Sequence, residues 1–124
     1  MKKKILLVED DAFVQFMMGE ILSTLGYQYD IAKNGQECQP LLFQQPEQYG
    51  VVLMDIHMPE VSGIDATKAI RSYSDDPPRS IPIVAVTADP HFNDEQVISR
   101  YGMDGCLSKP ITASEINEVT ALFC

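Results

Sequence analysis

The sequence predicts an α/β fold in which a doubly wound, parallel five-stranded sheet is covered by five helices. Three observations carry that expectation. Short unbroken apolar runs recur along the chain at 5–8, 29–32, 51–54 and 83–86, and continuous rather than alternating runs are what strands buried on both faces require. Between them lie segments with the 3.6-residue spacing of amphipathic helices. Acidic residues close two of the runs, Glu9-Asp10-Asp11 after the first and Asp55 after the third, at the strand ends that line the ligand crevice of such a sheet.

The first strand is Ile5-Leu6-Leu7-Val8. A helix follows Asp11, because Val14, Met17, Met18, Ile21, Leu22 and Leu25 fall on the i, i+3, i+4, i+7, i+8, i+11 series of one core stripe, and Gly26 ends it. The second strand is 29–32. The second helix follows Asn34-Gly35 and stops near Gln45-Pro46. After the third strand, 51–54, the third helix runs from Ser62 to about Tyr73, and Pro77-Pro78 marks the loop 74–80. The fourth strand, 83–86, precedes a helix from near Asn93 to Tyr101-Gly102. The weakest strand is 105–108. The last helix, 112–122, opens with Thr112-Ala113-Ser114-Glu115, a capping box. Strand and helix alternate five times, so right-handed crossovers give a flavodoxin-like order 2-1-3-4-5 with its switch point between the first and third strands.

With 124 residues, 45% of them hydrophobic and 22% charged, the chain reads as one globular domain over 1–124. A net charge of -9 and a single short basic cluster, Lys2-Lys3-Lys4, argue against nucleic-acid binding. Three cysteines, Cys38, Cys106 and Cys124, with no C-x-x-C spacing argue against a disulfide framework or a zinc site, and a cytoplasmic location fits them. The apolar run after Lys4 is too short for a signal peptide or a membrane span. A domain cut from a longer protein would end in the same way as this chain.

Asp10 and Asp55 end neighbouring strands across the switch point. Both can reach one cation, with Glu9 reaching it through water, and hard oxygen ligands suit Mg²⁺. Asp11 reads instead as a solvated residue or a helix cap. Thr87 and Lys109 fall at equivalent strand ends, where a hydroxyl donor and a fixed positive charge could bind the oxygens of a phosphoryl group. Taken singly, Thr87 is also a turn cap and Lys109 a surface lysine.

The whole set resembles the response-regulator receiver domain of two-component phosphorelays. The resemblance covers the full chain and rests on Ile5-Leu6-Leu7-Val8-Glu9-Asp10-Asp11, Met54-Asp55-Ile56-His57-Met58-Pro59 with Gly63, Val84-Ala85-Val86-Thr87-Ala88, and Ser108-Lys109-Pro110. It implies that Asp55 accepts a phosphoryl group from a phosphohistidine on a histidine kinase or histidine phosphotransfer protein. Glu9, Asp10, Asp55 and the His57 backbone carbonyl would hold Mg²⁺. Self-phosphorylation from small donors and self-dephosphorylation would accompany this signalling role. The stretches Met-Asp-Ile-x-Met-Pro and Gly102-Met103-Asp104-Gly105 are most similar to receivers of hybrid histidine kinases, which leaves room for a membrane-tethered sensor. A Mg²⁺-dependent aspartate-nucleophile phosphatase is the alternative, although it would normally place a second aspartate where this chain has His57. A flavodoxin is disfavoured because Glu9-Asp10-Asp11 would repel its anionic nucleotide.

Within that resemblance, Cys106 stands three residues before Lys109, where many receivers carry the aromatic that responds to Thr87; it also reads as a small apolar filler. His57 and Asp89 occupy the positions that flank the water attacking the aspartyl phosphate, so they are expected to set its lifetime, unless His57 is merely solvated. On the first helix, Phe13 and Phe16 project within roughly 60° of each other and away from the core stripe, as a partner-docking patch, unless Phe13 folds over the core edge.

Overall fold

The computed structural model describes residues 3–124, so Lys2 of the basic cluster lies outside the described residues. Strands β1 (Lys4–Val8), β2 (Tyr29–Ala32), β3 (Tyr49–Asp55), β4 (Ile83–Thr87) and β5 (Gly105–Ser108) form one parallel sheet in the order β2-β1-β3-β4-β5. Helices α1 (Ala12–Thr24), α2 (Gly35–Gln44), α3 (Gly63–Arg71), α4 (Glu95–Arg100) and α5 (Ala113–Phe123) alternate with the strands. A turn of 3₁₀ helix at Pro46–Gln48, which the sequence pattern does not announce, leads into β3.

Strand alternation sorts the core into two layers. Leu6, Val8, Val52, Met54 and Ala85 pack with Cys38, Leu42, Ala66, Ile70 and Ile98 beneath α2, α3 and α4. Ile5, Leu7, Val51, Leu53 and Val84 pack with Met18, Leu22 and Ile116 beneath α1 and α5. Each central strand therefore buries both faces, which explains its unbroken apolar sequence.

Helix starts are fixed by side-chain caps. Asp11 accepts from the amides of Phe13 and Val14, Asn34 from Glu37, Ser62 from Asp65 and Asp94 from Gln96 and Val97. Thr112 and Glu115 close the expected capping box. Each satisfies amide groups that a helix start leaves unpaired. β3 begins at Tyr49, two residues before the expected run, and two helix boundaries shift as far. α4 begins at Glu95 rather than near Asn93, because residues 89–93 fold into a turn with the Phe92 and Asn93 amides bonded to the Asp89 and Pro90 carbonyls. α3 stops at Arg71, with Ser72 as its cap.

The core stripe of α1 also needs correction. Met18 and Leu22 are buried, but Met17 is 38% exposed. The cause lies at Gly19, where a Cβ would collide with the Tyr29 ring. The close approach of β2 there centres the buried face on Met18, Gly19 and Leu22 and turns Met17 outward.

Candidate functional site

The carboxyl ends of β1, β3, β4 and β5 converge on one crevice. β1 delivers Glu9, almost fully buried at 1% exposure, and the exposed Asp10; β3 ends in Asp55, 5% exposed. Carboxylate oxygens of Glu9, Asp10 and Asp55 all lie within 4.8 Å of one another. Lys109, just past β5, brings its ammonium 2.8 Å from Glu9 Oε1 and 3.4 Å from Asp55 Oδ1. The lysine thus sits nearer Glu9 than the nucleophile candidate that it was expected to serve.

This arrangement is deficient in positive charge. Burial first, and then the closeness of Asp55, push the Glu9 carboxyl up to about 8 against the opposing pull of Lys109. Asp10 is raised as well, first by burial and then by Asp55. Burial alone would lower Lys109, but Glu9 and Asp55 outweigh it and raise the ammonium. Among the described residues Glu9 Oε2 is buried with no hydrogen-bond partner. A converging trio of oxygen donors with one orphaned buried oxygen fits a hard divalent cation such as Mg²⁺.

The backbone around the trio is tightly held. Gly63 packs against the Asp55 carbonyl, where any Cβ would collide with the backbone, and its amide donates to the Ile56 carbonyl at 2.9 Å. The 55–63 loop is thereby folded back onto the end of β3. Asp11 is the α1 cap, in keeping with its exclusion from the acidic set.

Thr87 is buried, and its Oγ1 accepts the Asp89 amide at 3.0 Å. The turn-cap reading of Thr87 is what the structure displays. Asp89 Oδ1 accepts the His91 amide at 2.9 Å, while Oδ2 meets His57 Nε2 at 2.9 Å. The His57 hydrogen bond comes first, and the His91 amide second, in holding the Asp89 carboxyl below its usual range. His57 is therefore paired rather than merely solvated, and Phe92 sits edge-on to its ring with centroids 5.4 Å apart. Cys106 is half-buried against the core layer of α2 to α4, and burial raises its thiol.

Phe13 and Phe16 are 69% and 66% exposed. The expectation that both point away from the core stripe holds only in part for Phe13, which with Val14, Met17, Ile21, Lys109 and Ile111 lines a groove of about 360 Å³ beside the acidic crevice. Two residues near the site escaped the sequence reading. Gln15 donates its side-chain amide to the Glu9 carbonyl at 2.6 Å, and it is the one polar residue between Ala12 and Met18. Phe92 was indistinguishable from any loop aromatic until its contact with His57 was seen.

A family model described as the response regulator receiver domain matches residues 5–121. The chain belongs to that family. Hybrid signal transduction histidine kinase B of Dictyostelium discoideum is 37% identical to this receiver over 123 residues, 92% of this chain and 6% of that protein. The polar-differentiation response regulator DivK of Brucella anthropi is 34% identical, covering 95% of this chain and 93% of that one. This receiver spans 6% to 17% of the length of the longer two-component relatives that it matches. Among solved structures, the receiver domain of a Pseudomonas aeruginosa sensor histidine kinase, with magnesium coordinated in its active-site cleft, is 29% identical with a TM-score of 0.81, covering 99% of this chain and 98% of that one. Among the described residues no helix is long and apolar enough to cross a membrane.

Proposed function

We propose that this receiver takes a phosphoryl group onto Asp55 from a phosphohistidine of a histidine kinase or histidine phosphotransfer protein, and passes it on or signals through it. The observation that carries the reading is the convergence of Glu9, Asp10, Asp55 and Lys109 at the carboxyl ends of three strands. An Asp55 carboxylate oxygen attacks phosphorus; the new O–P bond forms as the P–N bond breaks, and the leaving imidazole keeps the electron pair and is protonated. Little covalent chemistry falls to the protein, so alignment and charge placement dominate.

Lys109, 3.4 Å from Asp55, supplies fixed positive charge to the transferred oxygens. Thr87 sits at the neighbouring strand end, and its hydroxyl hydrogen is available to a phosphoryl oxygen. Glu9, Asp10, Asp55 and the backbone carbonyl of His57 would hold Mg²⁺, which when bound neutralises charge on the phosphoryl oxygens. His57 and Asp89, joined at 2.9 Å, stand two residues beyond Asp55 and Thr87 and govern how long the aspartyl phosphate lasts. Phe13 and Phe16, beside the apolar groove, dock the phosphohistidine partner. Cys106 in place of the usual aromatic leaves Thr87 without that switch companion, which suits a relay. The phosphatase alternative is weakened by His57, whose pairing with Asp89 takes the place of a second aspartate.

The test is incubation with acetyl phosphate and Mg²⁺ followed by intact-mass measurement. The wild type is expected to gain one acid-stable, base-labile phosphoryl group, and Asp55→Asn none. Labelling of Asp55→Asn to the wild-type stoichiometry would overturn the assignment.

A further inference from the structure

We infer that Gln15 is a positioning residue for the Glu9–Asp10 metal pair, because its side-chain amide fixes the peptide plane from which both carboxylates spring. The inference rests on the reading of the acidic trio as a divalent-cation site, and it assigns a task to a residue of α1 that contributes no ligand atom.

The Glu9 carbonyl oxygen belongs to the peptide unit joining Glu9 to Asp10. That unit is planar, so holding its oxygen sets the direction in which the chain leaves Glu9 and the place where the Asp10 Cα stands. Gln15 Nε2 donates to this oxygen at 2.6 Å. The Glu9 amide, on its other side, donates to the Ala32 carbonyl of β2 at 3.0 Å. The Glu9 carboxylate is held in turn by Lys109 through Oε1 at 2.8 Å, which leaves Oε2 as the buried oxygen without a partner. Three struts from three elements thus fix Glu9, and of these only the Gln15 strut acts on the peptide shared with Asp10.

Gln15 is itself well anchored. Its amide donates to the Asp11 carbonyl at 2.9 Å, closing the first turn of α1, and the Asp11 carboxylate caps that turn through the Phe13 and Val14 amides at 2.8 and 3.2 Å. The strut therefore runs from a capped helix turn back across the acidic loop. It opposes a definite force: carboxylate oxygens of Glu9, Asp10 and Asp55 lie within 4.8 Å of one another, so like charges are pressed together. Left untethered, the turn would relax by swinging the Asp10 carboxylate away from Glu9 and Asp55. Groups that hold metal ligands without touching the metal commonly change affinity 10- to 100-fold when removed.

Geometry gives the discriminating measurement. Mg²⁺ demands near-ideal octahedral placement of its ligands, whereas Ca²⁺ tolerates irregular ones. Calorimetric titration of the full chain with each ion is expected to show Gln15→Met raising the Mg²⁺ dissociation constant about tenfold while that for Ca²⁺ stays within about twofold. Gln15→Ala, which keeps the best helix former at the position, is expected to do the same. Loss of both ions by one common factor, or of neither, would overturn the inference, since a merely structural or electrostatic role has no reason to distinguish them. A third readout needs no substitution: the Gln15 side-chain amide resonances of the wild type should move on Mg²⁺ titration, and their indifference would count against the strut. Absence of Mg²⁺ binding by the wild type at millimolar concentrations would instead overturn the metal reading itself.

Discussion

Among the described residues, the ionic clusters around Arg71 and around Lys109 are built on opposite principles. Around Arg71, at the end of α3, every interaction is matched: Nε donates to the Gly102 carbonyl at 2.8 Å, one terminal nitrogen to the Arg79 carbonyl at 2.7 Å and the other to Asp104 at 2.9 Å. Asp104 also receives the Ile83 amide at 2.9 Å. In the crevice above β1 and β3, three carboxylates share one lysine and a buried oxygen has no partner. The first cluster ties α3, the 74–80 loop and the turn before β5 into one body. The second stays deficient in positive charge, which is what a binding site needs and what a structural tie avoids.

The sharpest way to break this contrast is to delete the cation from each cluster. Arg71→Met leaves the Gly102 and Arg79 carbonyls without their donor and the exposed Asp104 without its cation, and is expected to cost about 2 kcal/mol in urea unfolding with labelling by acetyl phosphate intact in the folded fraction. Lys109→Met should cost less stability, since Glu9 can take up a proton, yet it should stop labelling. Equal stability losses would mean that the two clusters are alike. Next in size is the response to metal: saturating Mg²⁺, at about a hundred times its dissociation constant, should add about 2.7 kcal/mol to stability, in the Arg71→Met protein as much as in the wild type.

A smaller effect concerns pH without metal. Glu9 is raised to about 8 in the fold, so its contribution to stability is full below the usual carboxylate range and is lost as pH climbs toward 8, because the unfolded chain ionises first. Burial is the first cause of that shift and Asp55 the second, so Asp55→Asn removes the part that a neighbouring charge supplies. In EDTA at pH 8 it should therefore be the more stable protein, by about 1 kcal/mol, and its stability should vary less between pH 5 and 8. A wild type more stable than Asp55→Asn under those conditions would remove the electrostatic strain from the account. The smallest change is expected from Phe16→Ala: within about 0.5 kcal/mol of wild-type stability, unaltered labelling by acetyl phosphate, and slower transfer from the phosphohistidine partner. Equal slowing of both reactions would locate Phe16 in the fold rather than the interface.

The difference between the clusters also marks where sequence reading succeeds. The acidic crevice was legible because strand ends are strong local signals: each apolar run stops where a polar residue begins, and the 2-1-3-4-5 order brings those stops together. β2 and β5 run over the same residues that the pattern indicates. The Arg71 cluster was not legible, since it joins Arg71 to Gly102 and Arg79 through main-chain carbonyls that carry no side-chain signature, and to Asp104 across 33 positions. Met17 misled for a related reason. Helical periodicity locates a stripe, but the approach of Tyr29 to Gly19 decides which edge of that stripe is covered. Gln15 left a trace, one amide in an apolar half-helix, whose meaning lay in the carbonyl that it reaches.

The bond between Lys109 and Glu9 spans 100 residues of sequence. As the chain leaves the ribosome, Glu9, Asp10 and Asp55 emerge before the ammonium that offsets them. Until β5 docks at the sheet edge, Asp55 and Glu9 both lack the ammonium of Lys109. On the proposed reading, readiness to receive a phosphoryl group is thereby tied to docking of β5.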